Sequence, residues 1–274
     1  MNSFISWEAA VAWLRAQPDM SSLVRDCYYD DPLSAAAARF YESTEWCAVR
    51  NLLSVIKLED KNALDIGAGR GISSYALAKD GWEVTALEPD PSYMVGAGAI
   101  KQLCDENVLD IRVIESAAES LPFADCSFDL VYTRQSLHHV NDLEVFCSEV
   151  KRVLRPGGLF LTTREHVIDR EEDLQRFLDA HPLHNMYGGE HAYTLGRYLA
   201  AMKGAGLQVV EILATYDSEI NLFPITKKFI RDKIKQKTGI QVSSTIFDCL
   251  VAPLLNMFIR TPGRLYTFVG KSPA

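Results

Sequence analysis

From residue 61 onward, short apolar runs alternate with stretches of helical periodicity. The runs fall near residues 63–66, 83–87, 111–114, 128–133, 158–163 and 207–213, and helical stretches such as 72–79 separate them. This alternation predicts an α/β fold: a parallel, doubly wound sheet with right-handed crossovers. The first 60 residues read differently. Trp7, Val11 and Leu14 recur at helical spacing, Pro18 ends that helix, and the alanine-rich stretch Ser34–Leu53 predicts a second one with no strand-like alternation.

Composition narrows the class. With 274 residues, 48% of them hydrophobic, the chain can bury a full core. The net charge of −8 argues against a nucleic-acid partner, which would require a basic face. Six cysteines show no C-x-x-C pair and read as reduced thiols of a cytoplasmic protein. The N-terminus, with Glu8 and Arg15 among its apolar residues, does not read as a secretory signal. The most apolar C-terminal window, 245–259, is shorter than a bilayer requires and contains Asp248 and Pro253. A local basic run, Lys227, Lys228, Arg231, Lys233, Lys235 and Lys237, reads as a solvated helix face. Its alternative is weak contact with an anionic substrate or a membrane surface through 225–237, with Phe229, Ile230 and Ile234 as the apolar side.

The segment Ala63-Leu-Asp-Ile-Gly-Ala-Gly-Arg-Gly71, with Glu88 ending the next apolar run, carries the chemistry. A strand, a glycine turn and an acid about twenty residues on form a nucleoside pocket, the acid accepting ribose hydroxyls. Two details argue against a dinucleotide: the spacing is G-x-G-x-G rather than G-x-G-x-x-G, and Asp65 would repel a pyrophosphate but favour a cationic ligand. The motif resembles the first motif of the class I S-adenosylmethionine-dependent methyltransferases. Leu87-Glu-Pro-Asp90 looks like that family's ribose-binding turn, and Ala118-Glu-Ser-Leu-Pro-Phe123 like its adenine-side loop. Ser127-Phe-Asp-Leu-Val131 is similar to its fourth strand, Leu137-His-His139 to the segment behind it, and Leu154-Arg-Pro-Gly-Gly158 to the turn before strand five. Ala117 departs from the pattern, because many relatives carry Asp there.

The resemblance implies a seven-stranded, mostly parallel sheet in which Arg264–Lys271 is the last strand. The expected organisation is an N-terminal helical lid over 1–60, an S-adenosylmethionine-binding core over 61–216, a helical insertion acting as lid over 217–262, and the final strand over 263–274. It further implies a cofactor bordered by Asp65, Gly67, Ala68, Gly69, Glu88, Pro89, Met94, Ala118, Glu119 and Thr133, and in-line methyl transfer to a small, partly hydrophobic acceptor. Arg134 and Gln135 face either the cofactor carboxylate or the acceptor. All six histidines lie between 138 and 191, and the segment Glu165-His166 is expected to follow strand five and border the acceptor. His139, His184 and His191 are the candidate general bases, since imidazole titrates near neutrality. A metal held by His181, His184, His191 and Glu165 or Glu190 has suitable ligand types, but the spacing matches no metal motif, and no metal is expected. A non-catalytic S-adenosylmethionine-binding partner or sensor, and a nicotinamide-dependent oxidoreductase, are the alternatives.

Overall fold

The computed structural model describes residues 5–54, 60–181 and 183–274. Residues 1–4 and 55–59 of the expected N-terminal lid, and Pro182 of the histidine segment, lie outside the described residues. The α-helices up to residue 238 are α1 (Trp7–Arg15), α2 (Ser21–Asp26), α3 (Leu33–Tyr41), α4 (Thr44–Ser54), α5 (Ile72–Lys79), α6 (Ala97–Asn107), α7 (Leu143–Val153), α8 (Asp173–Ala180), α9 (His184–Tyr187), α10 (Leu195–Gly204), α11 (Glu219–Leu222) and α12 (Lys227–Thr238), and short helical segments follow at Ser244–Ile246, Phe247–Val251 and Ala252–Phe258. The strands are β1 (Asn62–Ile66), β2 (Glu83–Leu87), β3 (Ile111–Ile114), β4 (Phe128–Arg134), β5 (Leu154–Ile168), β6 (Tyr193–Thr194), β7 (Gln208–Leu213) and β8 (Arg264–Lys271).

The sheet runs β3-β2-β1-β4-β5-β8-β7, with β8 antiparallel to both neighbours and the short β6 paired off β5. The expected mostly parallel, doubly wound sheet is what the chain forms, with β6 as the addition. Both faces are covered, which is why the strands read as continuous apolar runs rather than alternating ones. Ala63, Val84, Leu130 and Tyr132 pack on one side with residues of α3, α4, α5 and α6. Leu64, Ile66, Leu87, Val131 and Phe160 pack on the other with α7 and α10.

Three expectations change. The single helix expected over Ser34–Leu53 is two, α3 and α4, because Ser43 caps the second by accepting from the Trp46 N–H at 3.0 Å. Strand five is far longer than 158–163: it begins at Leu154 and continues to Ile168, because β8 pairs with it as far as Val167↔Arg264. Glu165 and His166 therefore sit within this strand rather than in a following loop.

Between β7 and β8 the insertion divides into a docked and an exposed part. Helix α11 buries Ile220, Asn221 and Leu222. Arg164 of β5 holds it by donating to the carbonyls of Ile220 and Phe223 at 2.8 and 2.9 Å. Helix α12 buries none of its residues, and Phe229 is half exposed. No helix among the described residues is long and apolar enough to cross a membrane. All six cysteines are unpaired.

A buried ion pair fastens α4 to the end of β4. Glu45, fully buried, accepts from Arg134 at 2.7 and 3.0 Å, and the Arg164 guanidinium lies 3.9 Å away. Glu45→Ala leaves two buried guanidinium groups without a counter-charge, and the expected loss of stability is about 3–5 kcal/mol. Urea unfolding measures it; a loss below about 1 kcal/mol would show that the pair carries no such burden.

Candidate functional site

The carboxyl ends of β1, β2, β4 and β5 open into a cavity of about 500 Å³. Its floor is the glycine loop after β1. Gly67 adopts φ +67° and Gly69 φ +55°, the left-handed region, and a Cβ on Gly67 would stand 2.7 Å from that of Ser136. The loop is held by Glu88, which accepts from the Gly69 N–H at 2.7 Å through Oε2 and from the Asp90 N–H at 2.9 Å through Oε1. Each carboxylate oxygen thus keeps acceptor capacity for a further donor.

A place near the carboxyl ends of their strands predicts that Asp65 and Glu88 are exposed, and the structure corrects this: both are buried. Asp65 is fully buried beneath the loop, where Oδ2 accepts from Ser73 at 2.7 Å and Ser74 at 2.6 Å. Its Oδ1 has no hydrogen-bond partner among the described residues. Burial raises this carboxyl to about 6, and the serine hydroxyls oppose the rise. Glu88 is only 7% exposed yet lines the cavity.

Of the other expected cofactor residues, Gly67, Ala68, Gly69, Pro89, Ala118 and Glu119 line the cavity. Met94 does not, and its neighbour Val95 does. Thr133 is buried behind the wall, where its carbonyl accepts from the Thr163 hydroxyl. Arg134 and Gln135 reach the cavity, but Arg134 is already engaged with Glu45 and lies over the Tyr28 and Phe40 rings, so it is not a free partner for a ligand carboxylate.

The N-terminal helices and the histidine segment form the opposite wall. Trp7 packs on Tyr187 and Tyr29, with ring centroids 4.6 and 5.8 Å apart. Arg70, inside the glycine motif, ties this wall to the floor. It donates to the carbonyls of Tyr28 and Asp30 at 2.7 and 3.0 Å and pairs with Asp31 at 2.6 Å. Neither Arg70 nor Glu45 stood out in the sequence. The signals were there: a cation within the loop followed by no local acid, and an acid in helical register with Val49 and Leu53 on a buried face.

A bulge in β5 between Thr162 and Glu165 shapes the part of the cavity near the histidines. Arg164 takes φ +61°, and the extra residue brings Thr162 and Glu165 onto one face while Arg164 turns to the insertion. Glu165, fully buried, accepts from the N–H groups of Ser136, Leu137 and His138, from the Thr162 hydroxyl at 2.8 Å, and from His138 Nδ1 at 2.7 Å. The other ring nitrogen of His138 lies 3.5 Å from Glu190 Oε2. Burial alone would lower this imidazole, but Glu165 and Glu190 outweigh it and raise it to about 9. His138 is therefore a buried imidazolium, not a base.

His139 differs. Its Nδ1 lies 2.7 Å from the Gly189 carbonyl, an acceptor only, so Nδ1 carries the hydrogen and Nε2 keeps a free lone pair. His139, His166 and His181 line the cavity, whereas His184 and His191, expected alongside His139, do not.

Residues 64–162 match the family described as "Methyltransferase domain". A long stretch is 29% identical to an uncharacterised methyltransferase of Bacillus subtilis over 154 residues, 55% of this chain and 60% of that protein. A fatty-acid O-methyltransferase of Mycolicibacterium smegmatis is 32% identical over 135 residues, 48% of this chain and 44% of that protein. Residues 64–162 of the chain thus carry a methyltransferase domain. The chain's matches span about half the length of these relatives. The same fold recurs in the geranyl diphosphate C-methyltransferase of Streptomyces coelicolor, solved with Mg2+, geranyl diphosphate and S-adenosyl-L-homocysteine. That structure has a TM-score of 0.60 at 16% identity, covering 89% of this chain and 85% of that one.

Within this methyltransferase domain, the buried Asp65 makes a measurable mark on stability. Its folded-state value of about 6 lies above the ordinary 3.8, so the folded protein holds the proton more tightly. Stability from this group is full below pH 4 and is lost as pH rises to 6, by about 3 kcal/mol at 1.36 kcal/mol per pH unit. Asp65→Asn has no such term. Relative to wild type, its unfolding free energy should therefore improve by about that amount between pH 4 and pH 7 in urea titrations; parallel curves would contradict the buried, ionising carboxyl.

Proposed function

We propose that the chain transfers the methyl group of S-adenosylmethionine to a small, partly hydrophobic molecule by in-line displacement, with His139 as general base. The observation that carries this reading is one cavity lined both by the glycine loop and Glu88 and by His139 with the aromatic residues Trp7, Tyr29 and Tyr187.

The residues fit this cofactor. Glu88 has acceptor capacity left for two ribose hydroxyls, the loop at Gly67 and Gly69 has no side chain in the way, and Ala118 and Glu119 stand where the adenine would lie. Asp65 acts through the loop it supports rather than by contact. When bound, S-adenosylmethionine supplies an electrophilic methyl group on a sulfonium. The chain's own residues do the rest: the loop and Glu88 fix the donor's orientation, while Trp7, Tyr29 and Tyr187 keep the far side apolar. His139 Nε2 accepts the acceptor's proton as the new bond forms. The relatives named as fatty-acid and geranyl diphosphate methyltransferases support an acceptor with apolar character. Six unpaired cysteines support a reducing, cytoplasmic setting, and the exposed basic helix α12 suits weak contact with an anionic membrane surface.

Two variants test the assignment. Glu88→Gln should weaken S-adenosylhomocysteine binding about 100-fold by calorimetry, the scale of losing charge-assisted bonds to two hydroxyls. His139→Ala should keep that affinity within about twofold yet slow transfer of labelled methyl groups into small molecules of a cell extract by about 100-fold or more. Unchanged affinity in Glu88→Gln would overturn the ribose assignment, and unchanged turnover in His139→Ala would overturn the base.

A further inference from the structure

Beside His139 lies a second cluster that methyl transfer does not use. One ligand atom from each of His166, His181 and Glu190 lies within 4.8 Å of the others. Of the ligand set considered from the sequence, His181 and Glu190 belong to this cluster, while His166, from β5, takes the place of His184 and His191. Glu190 is 8% exposed, and its Oε2 makes no hydrogen bond among the described residues; the charge it offers is shared with the His138 ring, which an ion bound here would displace as the carboxylate's partner. His181 Nε2 stands 3.8 Å from that oxygen, and His138 Nε2 stands 3.5 Å from it. Ligands about 2.1 Å from a tetrahedral metal lie roughly 3.4 Å from one another, so His181 Nε2 and Glu190 Oε2 need only a small contraction, with His166 moving in from within 4.8 Å.

Two of the three side chains have outer contacts that suit a metal ligand. His166 Nδ1 is 2.7 Å from the Gly263 carbonyl, which fixes the hydrogen there and leaves Nε2 as a lone-pair donor. Tyr187 donates its hydroxyl to Glu190 Oε1, leaving Oε2 as the ligating oxygen. His181 Nδ1 has no hydrogen-bond partner among the described residues, so of the two imidazoles only His166 has its outer nitrogen fixed. All three candidate ligands line the cavity, so the remaining coordination positions open towards bound small molecules.

We propose that Glu190, His166 and His181 bind one divalent transition-metal ion, of the zinc, iron or manganese type, in a two-histidine, one-carboxylate site on the cavity wall. Imidazole and carboxylate together select this class over calcium or magnesium. On the methyl-transfer reading, which this last step alone depends on, an open position takes an oxygen of the acceptor and favours its deprotonated form.

Cobalt(II) added to chelator-treated full-length protein tests the site. The expected result is one ion per chain with a visible d–d spectrum. Glu190→Gln and His181→Ala should weaken binding at least 100-fold, while His184→Ala and His191→Ala leave it unchanged. S-adenosylhomocysteine affinity, measured on the same samples, should stay within twofold in every variant and shows that each is folded. Absence of a cobalt spectrum in protein that still binds S-adenosylhomocysteine would overturn the metal site and leave the methyl-transfer reading standing. Cobalt binding that persists undiminished in Glu190→Gln and His181→Ala would place the ion elsewhere and overturn it as well. Cobalt bound as expected by protein with no affinity for S-adenosylhomocysteine would support the site and count against methyl transfer instead.

Discussion

Where parallel strands end, their backbone N–H groups lose the partners that the sheet supplied, and in this chain buried carboxylates take over. Glu88 fixes the loops after β1 and β2 to each other through the Gly69 and Asp90 N–H groups. Glu165 gathers three successive N–H groups from the turn after β4. An N–H donor left unpaired in such a place would cost about 1–3 kcal/mol, and an anion shut away from water would cost more without donors around it. Each group makes the other tolerable. The carboxyl edge therefore holds a fixed shape, and the cavity's two ends are defined by which acid sits under which loop.

The walls are tied to this edge by three arginines. Arg70 reaches from the glycine loop to the N-terminal segment, Arg134 from β4 to Glu45, and Arg164 from the β5 bulge to the insertion. Each guanidinium offers several donors in a fixed plane, which suits one side chain to satisfying two or three carbonyls or a carboxylate at once. Segments distant in sequence, around residues 28, 45 and 220, are thereby fastened to the carboxyl ends of the central strands, and the first of them lines the cavity.

The sheet and the glycine loop were legible because their causes are local. Apolar runs at β1, β2 and β4 follow from burial on both faces, and the turn after β1 needs glycine where φ is positive. Even the last strand, separated from β7 by some fifty residues, stood out through Leu265–Val269. What escaped was set by tertiary contact. The extension of β5 depends on β8 pairing beyond Thr162, and the bulge that aims Glu165 has no one-residue signature. Asp65 and Glu88 sit at strand ends as expected, yet the covering helices bury them, something strand position alone does not report. Among the histidines, clustering in sequence was only a partial guide, since His166 joins the cavity from the sheet while His184 and His191 stay off it.

A crystal structure of the protein with S-adenosylhomocysteine tests the central claim most directly. The expected result is both ribose hydroxyls on Glu88, with open space in the cavity between the sulfur and His139 Nε2. A ligand bound away from Glu88, or side chains closing the passage between the sulfur and His139, would contradict it.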